Sequence, residues 1–385
     1  MRPCLKINDD DRFAQSGAKI GSSLQIRLPN RYTVSSGAAL AVQATTETYA
    51  TLSITSQAQV GMNFDTADLA LSMDDFRERI IVPAMAQLAS KVDLDALSMY
   101  KNVYNCTGTV QTTPADMNVY LNAGAILDEM ACPRDGYRHT VLNPAANAAS
   151  VYGLRSLFHA GEKIDEQYRK GLMVDSMGMI FSMDQNVNVH TFGTATINST
   201  VTLSATAAEG DTTLALTGLT NAYIFNKGDI ITVADCYSVN PENRQSTGRL
   251  QNFVITAASS AVAGNAVTVS VSPTIHAAGA YQTVDSLPTS GKGVVIGGAV
   301  KGSAAVAGLQ SPQNLAFHRD AFVLGTADLE LPPGGPSIAA RETYDGISMR
   351  LWRQGDITNS SVPCRLDVLY GYVCARPELA VRIVG

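Results

Sequence analysis

Apolar and polar positions alternate strictly in two stretches near the start of the chain, Ser23-Leu24-Gln25-Ile26-Arg27-Leu28 before Pro29 and Tyr49-Ala50-Thr51-Leu52-Ser53-Ile54-Thr55. Period two is the signature of a strand, and a Gly/Ala/Ser-rich turn region at residues 35–41 lies between them, so residues 21–73 are expected to form one long two-stranded hairpin. Such a hairpin has little to bury beneath it and is marginal in water alone, so its expected support is another subunit. The twenty residues before it are polar, include the run Asp9-Asp10-Asp11 and show no apolar period; they are expected to form an arm.

The period then changes. Ser72 followed by Asp75 reads as a capping-box-like start near Met73, with acids in the first turn that suit the helix dipole. Ile81, Met85, Leu88, Val92, Ala96, Met99 and Val103 follow at spacings of three and four. They predict a helix to about Tyr104, roughly 45 Å long at about 1.5 Å per residue, with a kink at Pro83. A second helix is expected from Thr113-Pro114 to Pro133, a strand at residues 138–142, and a third helix from Asn143-Pro144. From Thr194 charges nearly vanish. Short alternating runs at residues 201–203, 214–216, 230–233, 253–255 and 267–271, separated by Gly-Asp, Asn-Lys-Gly-Asp and Gly-Asn turns, predict a small antiparallel barrel or sandwich. After a glycine-rich stretch near Gly291, longer strands are expected at residues 317–324, 347–353 and 364–374. The fold class is α+β, with the β-rich block inserted in a parent domain.

Composition narrows the function. The chain has 385 residues, 45% hydrophobic and only 16% charged, with 31 glycines, which is globular and large enough for two or three domains, or for one domain carrying a large insertion. A surface poor in charge and rich in Ala, Ser, Thr and Gly suits faces that meet copies of the same protein. A net charge of −6 argues against a protein that grips nucleic acid through its phosphates. The six cysteines form no C-x-x-C pair and share no metal-ligand spacing with a histidine, so they are expected to be free, mostly buried thiols. No stretch reads as an export signal or a membrane span.

No catalytic, cofactor or metal site is expected. His139, His159, His190, His276 and His318 are scattered singly and read as structural or surface residues. Gly291-Lys292-Gly293 lacks the full phosphate-loop spacing and reads as a flexible return from the insertion. Asp74, Asp75 and Glu78 are explained by a helix's first turn, and Asp9 to Asp11 by solvation. Met173, Met177, Met179 and Met183 read as adaptable packing. A hydrolase with a β-sandwich accessory domain would need a convergent polar pocket, for which no residue set presents itself. Glu242, Arg244 and Arg249 stand out in a block otherwise poor in charge, and are candidates for contacts between subunits.

Gln354-Gly355-Asp356-Ile357, Cys364-Arg365-Leu366, Leu369-Tyr370-Gly371-Tyr372-Val373 and Ala375-Arg376-Pro377-Glu378 resemble the end of the podovirus-type coat-protein family of tailed double-stranded DNA phages. Asn143-Pro144, Glu162-Lys163-Ile164, Tyr168-Arg169 and Gly228-Asp229-Ile230 fall in the matching order, from about Gly17 onward. The resemblance implies a tailed-phage capsid fold: arm 1–20, extended loop 21–73, peripheral domain with spine helix and the first part of an axial domain 74–193, inserted β-barrel 194–290, and a return through both domains 291–385. It implies a major capsid protein that assembles with itself, as hexamers and pentamers, into an icosahedral shell. Scaffolding, portal and decoration proteins are its expected partners, and the enclosed double-stranded DNA is touched weakly and non-specifically. The shell would be built in the host cytoplasm and end as the virion capsid. An encapsulin-like compartment is the alternative on the same fold. The stretch between Lys19 and Lys91 contains no lysine, so the isopeptide cross-link of some related shells is not expected here.

Overall fold

The computed structural model describes residues 8–10, 23–38, 40, 42–45, 47–65, 77–153, 175–193, 201–219, 224–260, 266–297, 309–331, 337–344 and 347–385. The longest strand among the described residues, Ser361–Cys374, organises the first sheet. Ser56–Asp65 runs antiparallel to its first ten residues. On its other edge lie Ile347–Gln354 and then Phe322–Ala327, and Ser337–Tyr344 extends the sheet beyond Ile347–Gln354. Strand alternation sends Ala58, Val60, Met62, Met349, Leu351, Leu366 and Val368 to one face. Ala84, Leu88 and Val92, four apart and so on one side of a helix, pack onto it. The other face carries a buried Asp367 held by Arg350 at 2.6 Å and Arg365 at 2.5 Å.

The packed helix is α-helical over Val82–Leu97 and closes with a 3₁₀ turn at Ser98–Asn102. Its expected start at Met73 lies outside the described residues. At Pro83 the helix is preceded by a π-helical turn, Arg77–Ile81. Proline has no N–H to give and its ring crowds the preceding turn, and a widened turn relieves both demands. Asp93, on this helix, faces the turn after residue 183, which is held by bonds from Ser90 Oγ to Asn186 Oδ1 at 3.1 Å and from Asn188 Nδ2 to the Leu94 carbonyl at 3.0 Å. Burial, and then the Asp184 carboxylate, push the Asp93 pKa from 3.8 up to about 6. The folded chain therefore binds this proton more tightly than the unfolded one. That contribution is complete below the ordinary carboxyl value and is lost as pH rises through about 6. Asp93→Asn should stabilise the unassembled subunit by about 1–2 kcal/mol at pH 7.5, the full shift being discounted for partial exposure, and should have no effect near pH 3.5. Melting curves of both proteins across that range check it; a gain independent of pH would refute it.

A second sheet has the order Cys106–Gly108, Ala380–Val384, Gln310–His318, Arg138–Leu142, Ile180–Met183, with Val189–Thr191 pairing the start of Gln310–His318. Every residue of Arg138–Leu142 and Ala380–Val384 is buried. Helix Met117–Glu129 lays Tyr120, Ala123, Ile126 and Leu127 against this sheet. Its start is capped by Asp116, whose side chain accepts from the Asn118 amide at 3.0 Å. In helix Pro144–Gly153 the Asn143 side chain accepts from the Ala146 amide at 2.9 Å. The single strand expected at residues 317–324 is two: a 3₁₀ turn, Arg319–Ala321, passes the chain from this sheet to the first.

The inserted block forms a six-stranded sheet in the order Val294–Ile296, Ile230–Val239, Ser246–Ile255, Ala266–Ile275, Asp211–Thr217, Thr202–Leu203. Its two ends meet through Leu203 N to Lys292 O at 3.0 Å, Gly291 N to Leu203 O at 2.8 Å and Val294 N to Val201 O at 2.9 Å, giving a nearly closed barrel. Leu203, Leu214, Leu216, Phe225, Ile231 and Phe253 are among the residues that fill it. The barrel thus runs past the expected end at residue 290, and Gly291-Lys292-Gly293 is part of its seam. Lys292 there pairs with Asp235 at 2.6 Å.

In the hairpin, Ser23–Arg27 and Tyr49–Ser53 pair in the register Ser23↔Ser53 to Arg27↔Tyr49. Contrary to expectation its base has support within the chain: Leu52 is fully buried with Val323 and Ala375, and Ile26, Leu28 and Ala50 pack around them. Gly371 makes that approach possible, because a Cβ there would lie 2.1 Å from the Ser53 carbonyl oxygen. Residues 56–65 belong to the first sheet, so the free loop is shorter than 21–73. Within the expected arm, Asn8–Asp10 runs parallel to residues 323–325 as a strand.

Candidate assembly surfaces

Beyond the bond from Leu28 N to Thr48 O at 2.9 Å, the loop leaves the sheet behind. Val34, Leu40 and Val42 are 93%, 90% and 84% exposed, and Tyr32 and Tyr49 more than half exposed. Exposed apolar residues gathered on one extended segment mark a contact surface. The base of the loop is fixed from two sides. Arg31 pairs with Glu378 at 3.1 Å, which also takes Arg376 at 3.2 Å, and an Arg244 guanidinium nitrogen donates to the Tyr32 carbonyl.

Arg244 belongs to the turn between barrel strands Ile230–Val239 and Ser246–Ile255. There the Asn240 side chain accepts from the amides of Glu242 at 2.9 Å and Asn243 at 3.2 Å. The residues singled out by charge therefore separate. Arg249 lies in the second strand and pairs with Glu129 of the parent helix at 2.9 Å, Arg244 reaches the loop base, and Glu242 is exposed at the tip of the turn.

Sequence reasoning missed a buried polar group where barrel and parent meet. His190 Nε2 lies 2.8 Å from Asp229 Oδ1, and Tyr100 OH lies 2.9 Å from His190 Nδ1. Burial lowers the His190 pKa, keeping the ring neutral; the carboxylate can only accept, so Nε2 carries the proton and Nδ1 accepts from the tyrosine. Asp229 also accepts from the amides of Gly193 at 3.2 Å and Asn226 at 2.8 Å. Arg382, 1% exposed, donates to the Gly228 carbonyl at 2.8 Å, while its Nε and Nη2 have no partner. Gly228, at φ +102°, is needed there, since a Cβ would press on the Lys101 stem and the His190 ring. The row resembles a proton relay, but the Tyr100, His190 and Asp229 side chains bond to one another and to the backbone inside the protein.

Some of the remaining candidates are described, and others lie outside the described residues. Met179 is core, Met183 is exposed, and Cys106, Cys132, Cys236 and Cys364 are buried free thiols. His159, Met173, Asp74, Asp75 and residues 162–169 lie outside. Among the described residues no three His, Cys, Asp or Glu are placed to hold a metal, and no helix is long and apolar enough to cross a membrane.

The sequence profile of the P22 coat protein family (P22 coat protein, gene protein 5) matches residues 14–385. The chain belongs to the P22 coat protein family. As a P22-family coat protein it is a structural major capsid protein of tailed phages that forms a multi-subunit shell, on the tailed-phage capsid fold, and is not an enzyme. That membership does not favour the encapsulin-like and hydrolase alternatives. Among solved structures, Mycobacterium phage Che8 is similar at 12% identity with TM-score 0.48, over 98% of this chain and 89% of that one. The capsid structure of Cyanophage P-SCSP1u gives 12% and 0.45 over 94% and 83%, and the CUS-3 coat protein I-domain 21% and 0.20 over 26% and 98%. No curated protein matches the P22-family chain.

Proposed function

We propose that the shell closes from hexamers and pentamers of this chain, assembled in the host cytoplasm around a scaffolding protein and a portal, and receives double-stranded DNA that it touches weakly. The exposed apolar loop at Val34, Leu40 and Val42 carries this reading: a surface of that kind on a coat protein is accounted for when a neighbouring copy covers it. A net charge of −6 fits a container filled by a motor, since a strongly basic lining would hold the genome. The division of labour proposed is arm 1–20, extended loop, peripheral and axial domains, and the barrel, with decoration proteins as further partners. Electron microscopy of the chain expressed with and without its scaffold tests it. Closed shells with scaffold support it, and a strictly monomeric chain at every concentration refutes it.

The turn with Glu242, Arg244 and Arg249 is proposed to meet a neighbouring subunit. Because Arg244 and Arg249 also act within the chain, Glu242→Lys is the discriminating change. It should lower the yield of closed particles and leave the subunit's melting temperature unchanged, an exposed charge being worth roughly 0–1 kcal/mol to the fold. Normal particle yield would count against the contact. The mature shell is proposed to be free of covalent cross-links, as no lysine amine lies between Lys19 and Lys91. Mature particles boiled in reducing detergent should run as one band near 40.7 kDa; a ladder of multimers would overturn this.

A further inference from the structure

Among the barrel's contacts with the parent body, two poles flank a cleft of about 580 Å³, lined by Asn105, Ile126 and Met130 on one side and Leu250, Asn252 and Val295 on the other. The poles differ in kind. At the first, the turn at residues 226–229 is sunk into the parent. Asp229 and His190 are 1% and 3% exposed, Arg382 holds the Gly228 carbonyl, Asn226 Nδ2 donates to the Thr191 carbonyl at 3.0 Å, and Ile230 and Val254 pack with Tyr104, Cys106 and Val384. Groups like these resist separation, because parting them leaves charges and amides unsatisfied. At the second pole stand an Arg249–Glu129 pair whose side chains are 42% and 28% exposed, and a bond from Asn240 Nδ2 to the Glu129 carbonyl at 2.7 Å. Such a pair is weak and screened by salt. The strand and turn that carry this pole also carry Arg244, bonded to the Tyr32 carbonyl, and Val239 and Pro241 line a crevice with Arg31 and Glu378.

We propose that the barrel is a lever: residues 226–229 are its pivot, the Glu129–Arg249 contact is a releasable latch across the cleft, and Arg244 passes the state of the latch to the base of the extended loop. Closing the latch holds the loop base at one angle; opening it frees the loop to change angle while the barrel stays anchored. The inference goes beyond the coat-protein reading and concerns the lone subunit, so particle formation by the unaltered chain tests that reading separately.

Hydrogen exchange followed by mass spectrometry on the full unassembled chain tests it, with Glu129→Gln, Arg249→Gln and Arg244→Gln beside the wild type. Glu129→Gln and Arg249→Gln should speed exchange in peptides spanning residues 28–32, and 250–252 at the cleft, by roughly threefold to fivefold. The amides of Gly193, Asn226, Gly228 and Ile255 should keep wild-type protection. Arg244→Gln should affect residues 28–32 and leave 250–252 unchanged. Should a variant fold poorly, raising salt on the wild-type chain reads the same latch: faster exchange at residues 28–32 with an unchanged pivot is the expected result. Unchanged exchange at residues 28–32 when the latch is cut, or loss of protection at the pivot together with the latch, overturns the proposal.

Discussion

Shells should fail to close when Val34, Leu40 and Val42 are replaced together by serine, while the isolated subunit melts as before. The three side chains are 84% to 93% exposed, so the folded subunit has almost no packing to lose with them. A covered interface is different. Fully burying a Val or Leu side chain contributes about 1.5–3 kcal/mol, so three of them under a neighbour supply several kcal/mol for each subunit joined. Serine removes that gain and leaves hydroxyls that need partners in the contact. Association also costs freedom, and only the surplus drives closure; a deficit repeated at every subunit therefore falls on the particle. Sedimentation and negative-stain microscopy of wild type and triple mutant, each with scaffold present, decide it. Normal particles from the mutant would show that the loop's apolar residues do not hold the shell together.

Local features of this fold are legible in the sequence, and long-range ones are not. Alternation marks Ser23–Arg27 and Tyr49–Ser53, and Asp116, Asn143 and Pro144 mark helix starts, because these signals act within a few residues. Phe317 and Phe322 read as one strand, since both sides of the turn at Arg319–Ala321 are apolar and only the three-dimensional path shows that each serves a different sheet. Val294–Ile296 closes the barrel from beyond a glycine-rich flank that reads as a linker. Tyr100, His190, Asp229 and Arg382 come from four separate segments, so no spacing betrays them. Two signals were available: Gly228-Asp229 in a turn, and an arginine inside the apolar run Ala380-Val381-Arg382-Ile383-Val384. The charged turn was visible as a charge anomaly. That Arg249 would turn back to Glu129 depends on where the barrel sits, which composition does not encode.

Asp229→Ala should cost the subunit about 3–5 kcal/mol, the range for removing one member of a buried charged group. The carboxylate is 1% exposed and accepts from His190 Nε2 and from the amides of Gly193 and Asn226. Alanine leaves both amides without their acceptor, and each unsatisfied buried donor costs about 1–3 kcal/mol. It also strips Arg382 of the nearby negative charge that offsets its burial; the desolvation that already lowers this guanidinium's pKa then acts with less compensation. These losses share one site, so they do not simply add. Asp229→Asn keeps an acceptor oxygen for the amides while removing the charge, and should fall between alanine and wild type. Asp235 is the control: its side chain is 63% exposed and pairs with Lys292, so Asp235→Asn, a residue type that tolerates the left-handed backbone at that position (φ +60°), should change stability by about 0.5 kcal/mol or less. Urea unfolding of the four unassembled proteins measures the order. Wild-type stability in Asp229→Ala, or equal losses at Asp229 and Asp235, would show that this buried group does not hold the barrel to the body.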